Sequence, residues 1–256
     1  MGNLYQEIKS VAGLSFSLAK ANFKVRNEGS FFGIFWYLLE PLAFFLILFF
    51  IGQNLSQKSI EQYPMYLLVG LIMFNFFNAV TLFSTKVISN NSGFIKSLKI
   101  NSEAFVLSGV WQFVFSHFFE VVVLIIFGLI FKINISFFIF YLFIFPFFVL
   151  FTSGVSFVLS VLGVYVGDLR NVWNVFSRLL WFATPIFYAV GTNTVIKELN
   201  TINPLYYFIM ITREVIIYKK IPSPALLFTV ALFSVLVFIA GFLVFEKFKN
   251  RLAERL

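Results

Sequence analysis

Six long apolar stretches, separated by short polar links, constrain this chain more than any other feature. They cover residues 31–51, 65–88, 104–131, 135–163, 172–190 and 225–245. Each is close to or above the roughly 20 residues that a helix needs to cross a bilayer. With 60% hydrophobic and only 12% charged residues, the chain has too little polar surface to cover a water-soluble globule. The pattern predicts an all-α integral membrane protein with six transmembrane helices. Pro41 and Pro146 lie within stretches, where neighbouring helices satisfy the freed carbonyls.

The polar links carry further information. Residues 4–25 place Leu4, Ile8, Val11, Leu14, Leu18, Ala21 and Val25 at steps of three and four, which is one helical stripe. The segment is too polar to span and reads as an amphipathic interface helix. Thirteen of the nineteen Lys and Arg residues fall on the side of the N-terminus, which predicts both termini in the cytoplasm. The long link at 191–224 contains two apolar pieces, 205–211 and 215–218, around Thr212, Arg213 and Glu214. Both are too short to cross and predict re-entrant helices dipping back from the outer face. The expected organisation is one membrane domain over 1–256: an interface helix at 1–30, five spans over 31–190, an outer gate region at 191–224, and the sixth span with a cytoplasmic tail at 225–256.

Catalytic chemistry finds no support. The chain has no cysteine and a single histidine, His117, so thiolate and multi-histidine metal sites are excluded. There is no G-x-x-x-x-G-K-[ST] phosphate loop, so ATP is not hydrolysed here. Three ionisable groups stand inside apolar stretches: Glu40, His117 and Glu120. Such groups are costly in lipid and are functional candidates by default. His117 and Glu120 share a helix face and read either as a proton relay or as a structural pair; Glu40 either lines a polar path or pins two helices. The loop Asn91-Ser92-Gly93-Phe94-Ile95-Lys96, with Lys99 beyond it, has a capping start and an amphipathic turn, the pattern of a short helix that docks on a partner.

Taken in order, several pieces resemble one family. Glu28-Gly29-Ser30-Phe31-Phe32-Gly33-Ile34-Phe35-Trp36 and Leu39-Glu40-Pro41-Leu42 lead into the first stretch. They are followed by Asn91 to Lys96, Asp168-Leu169-Arg170-Asn171-Val172-Trp173, Thr184-Pro185-Ile186-Phe187-Tyr188, Asn203-Pro204-Leu205, Arg213 and a basic C-terminal helix. The chain resembles the permease subunit of ABC type-2 exporters for O-antigen, teichoic-acid and capsular polysaccharides. It departs from the pattern at Gly167, where the family has arginine, and at Asn101 to Glu103, which lack a proline.

The resemblance implies a homodimer in the plasma membrane of a prokaryote, bound to two copies of a separate ATPase subunit that holds ATP and Mg. No cofactor is expected in this chain, and nucleic acid is not a partner. The substrate would be a polyprenyl-lipid-linked polysaccharide. Asn91, Ser92, Gly93, Phe94, Ile95, Lys96 and Lys99 would couple to the ATPase. Lys24 and Arg26 would attract the lipid diphosphate. The expected outer gate comprises Asn203, Pro204, Tyr206, Tyr207 and Arg213. Sugars lay apolar C–H faces on aromatic rings, so Trp36, Tyr37, Tyr165, Trp173, Trp181 and Tyr188 are candidates for a glycan channel. Two alternatives are a type-2 permease for a small hydrophobic drug or lipid, and a proton-coupled carrier using His117 and Glu120.

Overall fold

The computed structural model describes residues 2–29, 31–54, 60–98, 101–134, 137–190 and 194–255. Lys99 and Ser30 lie outside the described residues. The described residues form ten α-helices and a short 3-10 turn, with no strand. In chain order they are α1 (Gly2–Asn27), α2 (Trp36–Asn54), α3 (Tyr63–Asn90), α4 (Ser92–Leu98), α5 (Glu103–Ile130), α6 (Phe138–Tyr165), α7 (Leu169–Ala183), α8 (Thr194–Ile202), α9 (Pro204–Ile216) and α10 (Pro224–Arg255).

Four helices, α3, α5, α6 and α10, are long and apolar enough to cross a membrane. The fifth apolar stretch does not stay helical to residue 190. α7 stops at Ala183 because Pro185 disfavours helical geometry at Thr184, which is extended at φ −91°, ψ 134°. At 1.5 Å per residue its 15 residues reach about 22 Å. The apolar α2 has 19 residues. The apolar piece expected at 205–211 and the first half of that at 215–218 form one helix, α9, while Ile217 and Tyr218 lie in the turn that follows. Thr212, Arg213 and Glu214 do not interrupt it, because the Arg213 side chain finds carbonyl partners across the fold.

α3 runs through the centre of the molecule, with buried side chains from Tyr63 to Ile88. Side-chain hydroxyls within this apolar bundle fold back onto their own helices: Thr81 donates to the Phe77 carbonyl at 2.7 Å, Ser84 to Val80 and Thr152 to Phe148, each at 2.8 Å. That satisfies them where no water reaches. Glycines set the closest crossings. A Cβ on Gly163 of α6 would run into the Thr85 carbonyl of α3, and Gly154 and Gly241 bring the backbones of α6 and α10 together. Small residues at helix crossings are what close packing in lipid requires.

α1 lies lengthwise along α5. Ser15 and Ala19 are fully buried, Phe16 meets the rings of Trp111 and Phe115, and Phe23 meets those of Phe115 and Phe119. Two apolar clusters result. The larger joins α3, α5, α6 and α9. The smaller takes Val87 and Ile88 of α3, Ile95 of α4, Phe105 and Val106 of α5, Phe157 and Val161 of α6, and Phe245 and Leu252 of α10.

Candidate functional site

The fold brings the scattered motifs together at three places. The first is a latch built around Arg213, which is only 3% exposed. Its Nε donates to the Tyr66 carbonyl at 3.0 Å, Nη1 to Pro185 at 2.7 Å and Nη2 to Ile186 at 2.9 Å. The guanidinium also lies over the Tyr66 ring, 3.3 Å from its centre. Arginine stays protonated in proteins, so these are charge-assisted bonds. The turn that receives them follows α7, where Pro185 leaves carbonyls without helical partners. Tyr66 donates its hydroxyl to the Tyr188 carbonyl at 2.8 Å, and Tyr63 to Phe187 at 3.2 Å. Asn203 caps α9 by accepting from the Leu205 amide at 3.0 Å and donates to Thr184 Oγ1 at 2.8 Å. Gly70 leaves the space for the guanidinium; a Cβ there would lie 2.5 Å from Nη2.

Thr184 to Tyr188, Asn203, Pro204 and Arg213 therefore belong to one structure. Tyr206 and Tyr207 stack edge to face beside it at 5.4 Å. Sequence reasoning missed Tyr63, Tyr66 and Gly70, whose signal is a tyrosine pair and a glycine at the start of an otherwise aliphatic helix.

The second place is a set of polar cavities around Glu40. One of about 120 Å³ is lined by Arg26, Tyr37, Glu40, Asn75, Asn78, His117 and Glu120, among others. A second, of about 420 Å³, shares Glu40, Asn75 and Asn78 and extends to Asn174, Ser177, Arg178 and Trp181 of α7. A third, of about 240 Å³, lies among Arg26, Asn27, Gly33, Trp36, Tyr37 and Glu40. Arg26 is set over the Tyr37 and Phe113 rings at 5.0 and 5.2 Å, whereas Lys24 is exposed and pairs with Glu28 at 3.5 Å.

Three buried polar atoms on these walls have no hydrogen-bond partner among the described residues: Tyr37 Oη, Asn78 Oδ1 and Ser177 Oγ. Leaving them bare is costly. The polar side chains that open into the larger cavity, Glu40, Asn75, Asn174 and Arg178, offer hydrogen bonds to hydroxyl groups or water.

His117 is held from both sides. Nδ1 is 2.7 Å from the Glu120 carboxylate and Nε2 is 2.5 Å from the Tyr141 hydroxyl, with the ring stacked on Phe145 at 4.4 Å. Both ring nitrogens are thus engaged, one by a carboxylate and one by a hydroxyl.

The proposed channel aromatics do not share one wall. Trp36, Tyr37 and Trp181 line the cavities. Trp173 donates its indole N–H to Thr81 Oγ1 at 3.0 Å, tying α7 to α3. Tyr188 lies at the latch, and Tyr165 packs against Phe248 and under Arg255 at 4.7 Å. Sequence reasoning also missed Asn75, Asn78, Asn174, Ser177 and Arg178. Their signal was present: amides three apart in an apolar helix, and polar residues at i, i+3 and i+4 on a strongly amphipathic α7.

The third place is the end where α4 lies. Asn91 donates Nδ2 to the Val87 carbonyl at 2.7 Å and so closes α3. Ile95 is buried, while Phe94 is 58% exposed and Gly93, Lys96 and Ser97 are exposed. α4 thus shows one apolar face to the fold and one aromatic to the outside. At Gly167, Lys86 reaches across from α3 and donates to the backbone carbonyl at 2.6 Å.

The family model of ABC-2 type transporters matches residues 14–217. Among curated proteins, the O-antigen export system permease protein RfbA of Myxococcus xanthus is 23% identical over 262 residues, covering 99% of both chains. A protein of the same name from Klebsiella pneumoniae is 26% identical over 245 residues, covering 93% of this chain and 92% of that one.

Proposed function

Because this chain belongs to the ABC-2 type transporter family, we propose that it is the permease subunit of an exporter that carries a polyprenyl-lipid-linked, O-antigen-like polysaccharide across the plasma membrane. Full-length likeness to O-antigen export permeases supports the substrate class. The observation that carries the reading is the polar cavity between α2, α3 and α7. Its 420 Å³ and the Glu40, Asn75, Asn174 and Arg178 side chains on its wall suit hydroxyl groups, and Trp181 offers an apolar ring for the C–H face of a sugar. A hydrophobic drug or lipid would leave those polar atoms unsatisfied. For a proton-coupled carrier, the His117–Glu120–Tyr141 cluster serves equally as a structural tie between α5 and α6, so it does not favour that reading.

In this reading α2 and α7 join the four long helices as spans one and five, and both termini are cytoplasmic. Residues 1–30 form the interface segment, 31–190 the first five spans, 191–224 the outer gate and 225–256 the sixth span with its tail. α8 and α9 are the re-entrant gate; α9, at about 20 Å, is too short to cross.

Glu40 on the apolar α2 and Arg178 on the polar side of α7 are both exposed, which is untenable against lipid. They face an aqueous path at the interface with a second copy of the chain. Arg26 meets the lipid diphosphate, with Lys24 drawing it in from the surface. ATP and Mg are bound by a separate subunit, present in two copies, against which Phe94 and its neighbours on α4 dock. Closure of that subunit shifts the spans as rigid bodies.

The test is mass spectrometry of lipid-linked glycans in cells lacking this chain, with surface glycan measured in parallel. The expected result is polyprenyl-linked polymer accumulating inside and surface polymer lost. Unchanged glycan on both sides would overturn the reading.

A further inference from the structure

The last turns of α10 do more than end a helix. Beyond the apolar run, Leu252 is 1% exposed and shares a cluster with Ile95 of α4, with Val87 and Ile88 where α3 ends, and with Phe105 where α5 begins. Next to this cluster Lys249 forms an ion pair with Glu103, the first residue of α5, and lies 3.5 Å from Glu246. Glu103 is itself 5% exposed. A carboxylate in the first turn of α5 is favoured by the helix dipole. Burying it without a cation would be costly, so the lysine fixes where α10 meets α5. Glu103 also follows directly on the short connector that leaves α4. The apolar seat of Ile95 is therefore shared with the end of α10, which is itself pinned to the start of α5.

We propose that the end of α10 is a brace for α4, and that Glu103 and Lys249 are positioning residues for coupling to the ATPase subunit. They touch neither substrate nor ATP. They hold α4 at a fixed angle, so that force applied at Phe94 moves α3, α5 and α10 together instead of tilting α4 alone. The coupling role rests on the proposed exporter function; the brace itself does not.

The chain has no cysteine, so a single spin label can report one helix. Ser97→Cys places it on the exposed side of α4, and Thr201→Cys places a control on α8. Each is combined with Glu103→Gln, Lys249→Gln or the exchange Glu103→Lys with Lys249→Glu, in the full chain reconstituted in nanodiscs, to which its ATPase subunit is then added. The single changes should mobilise the label at position 97, leave that at 201 unchanged, and lower glycan exported per ATP hydrolysed about tenfold. The exchange should restore part of both, held back by the α5 dipole acting on a lysine at 103 and by Glu246 beside a glutamate at 249. An immobile label at 97 in the single variants, an unchanged export-to-ATP ratio, or equal mobilisation at both positions would overturn the proposal. The spectra are recorded before the ATPase subunit is added, so they decide the brace whether or not one associates. A wild-type chain that binds none would overturn the exporter reading instead.

Discussion

Replacing Arg213 by methionine tests the latch. Methionine keeps much of the apolar length but removes three charge-assisted donors and the contact with the Tyr66 ring. The Tyr66 carbonyl lies within α3 and keeps its helical partner. Pro185 and Ile186 do not: their carbonyls follow the end of α7, and the Ile186 carbonyl would be left buried and bare while that of Pro185 keeps only the Tyr66 hydroxyl at 3.4 Å. Each costs about 1–3 kcal/mol. Losing the ring contact adds about 1 kcal/mol, and no longer burying a charge returns part of the total. The net expectation is about 3 kcal/mol of destabilisation, confined first to the turn at Thr184 to Tyr188 and to α9. For a chain of this size that lowers the melting temperature by about 6–12 °C. Arg213→Lys, which can serve one or two of the carbonyls but lacks the planar fork, should lose about half as much. The assay is thermal unfolding of the purified chain in one detergent, with trypsin cleavage within residues 191–220 as a local readout. A melting temperature within about 1 °C of wild type, with unchanged cleavage, would refute the account of Arg213 as the tie between α3, α7 and α9.

Four further outcomes follow from the same geometry. Gly70→Ala should destabilise by about 1–3 kcal/mol despite alanine's better helix propensity, since its methyl meets the Arg213 guanidinium; combining it with Arg213→Met should give less than the sum of the two losses. Gly154→Val should force α6 and α10 apart and lower yield and melting temperature sharply, whereas Gly167→Val, with nothing within 4 Å of its Cβ, should fold normally. Trp173→Phe should cost about 1 kcal/mol, and a double-mutant cycle with Thr81→Val should recover that amount as coupling energy, zero coupling counting against the bond. Ser177→Ala should leave stability unchanged or raise it slightly, because its hydroxyl has no partner; surface glycan should nevertheless fall, and full export would weigh against the cavity as the glycan path.

Much of the helix pattern was legible from local sequence alone. The four long helices follow from runs of apolar residues that only a bilayer accommodates, whereas the stretch at 172–190 was read as one span and Pro185 ended its helix at Ala183. The resemblance likewise located Thr184 to Tyr188, Asn203 and Arg213 without saying why they belong together. That reason is tertiary. Arg213 and Tyr66 are joined by a hydrogen bond across 147 positions of sequence, and no periodicity predicts which carbonyls a buried guanidinium will find. The same holds for Asn78 and Ser177. Their polar spacing shows on each helix separately, but only the packing of α3 against α7 puts both on one cavity. The pair Glu103 and Lys249 looked like ordinary charges at helix ends. Only the packing of α10 on α5 excluded water from Glu103 and made the choice of partner matter. Local sequence decided where helices start and stop, because that depends on neighbours a few residues away. The tertiary structure decided which polar groups are deprived of water, and that determines where this protein can bind, latch and transmit force.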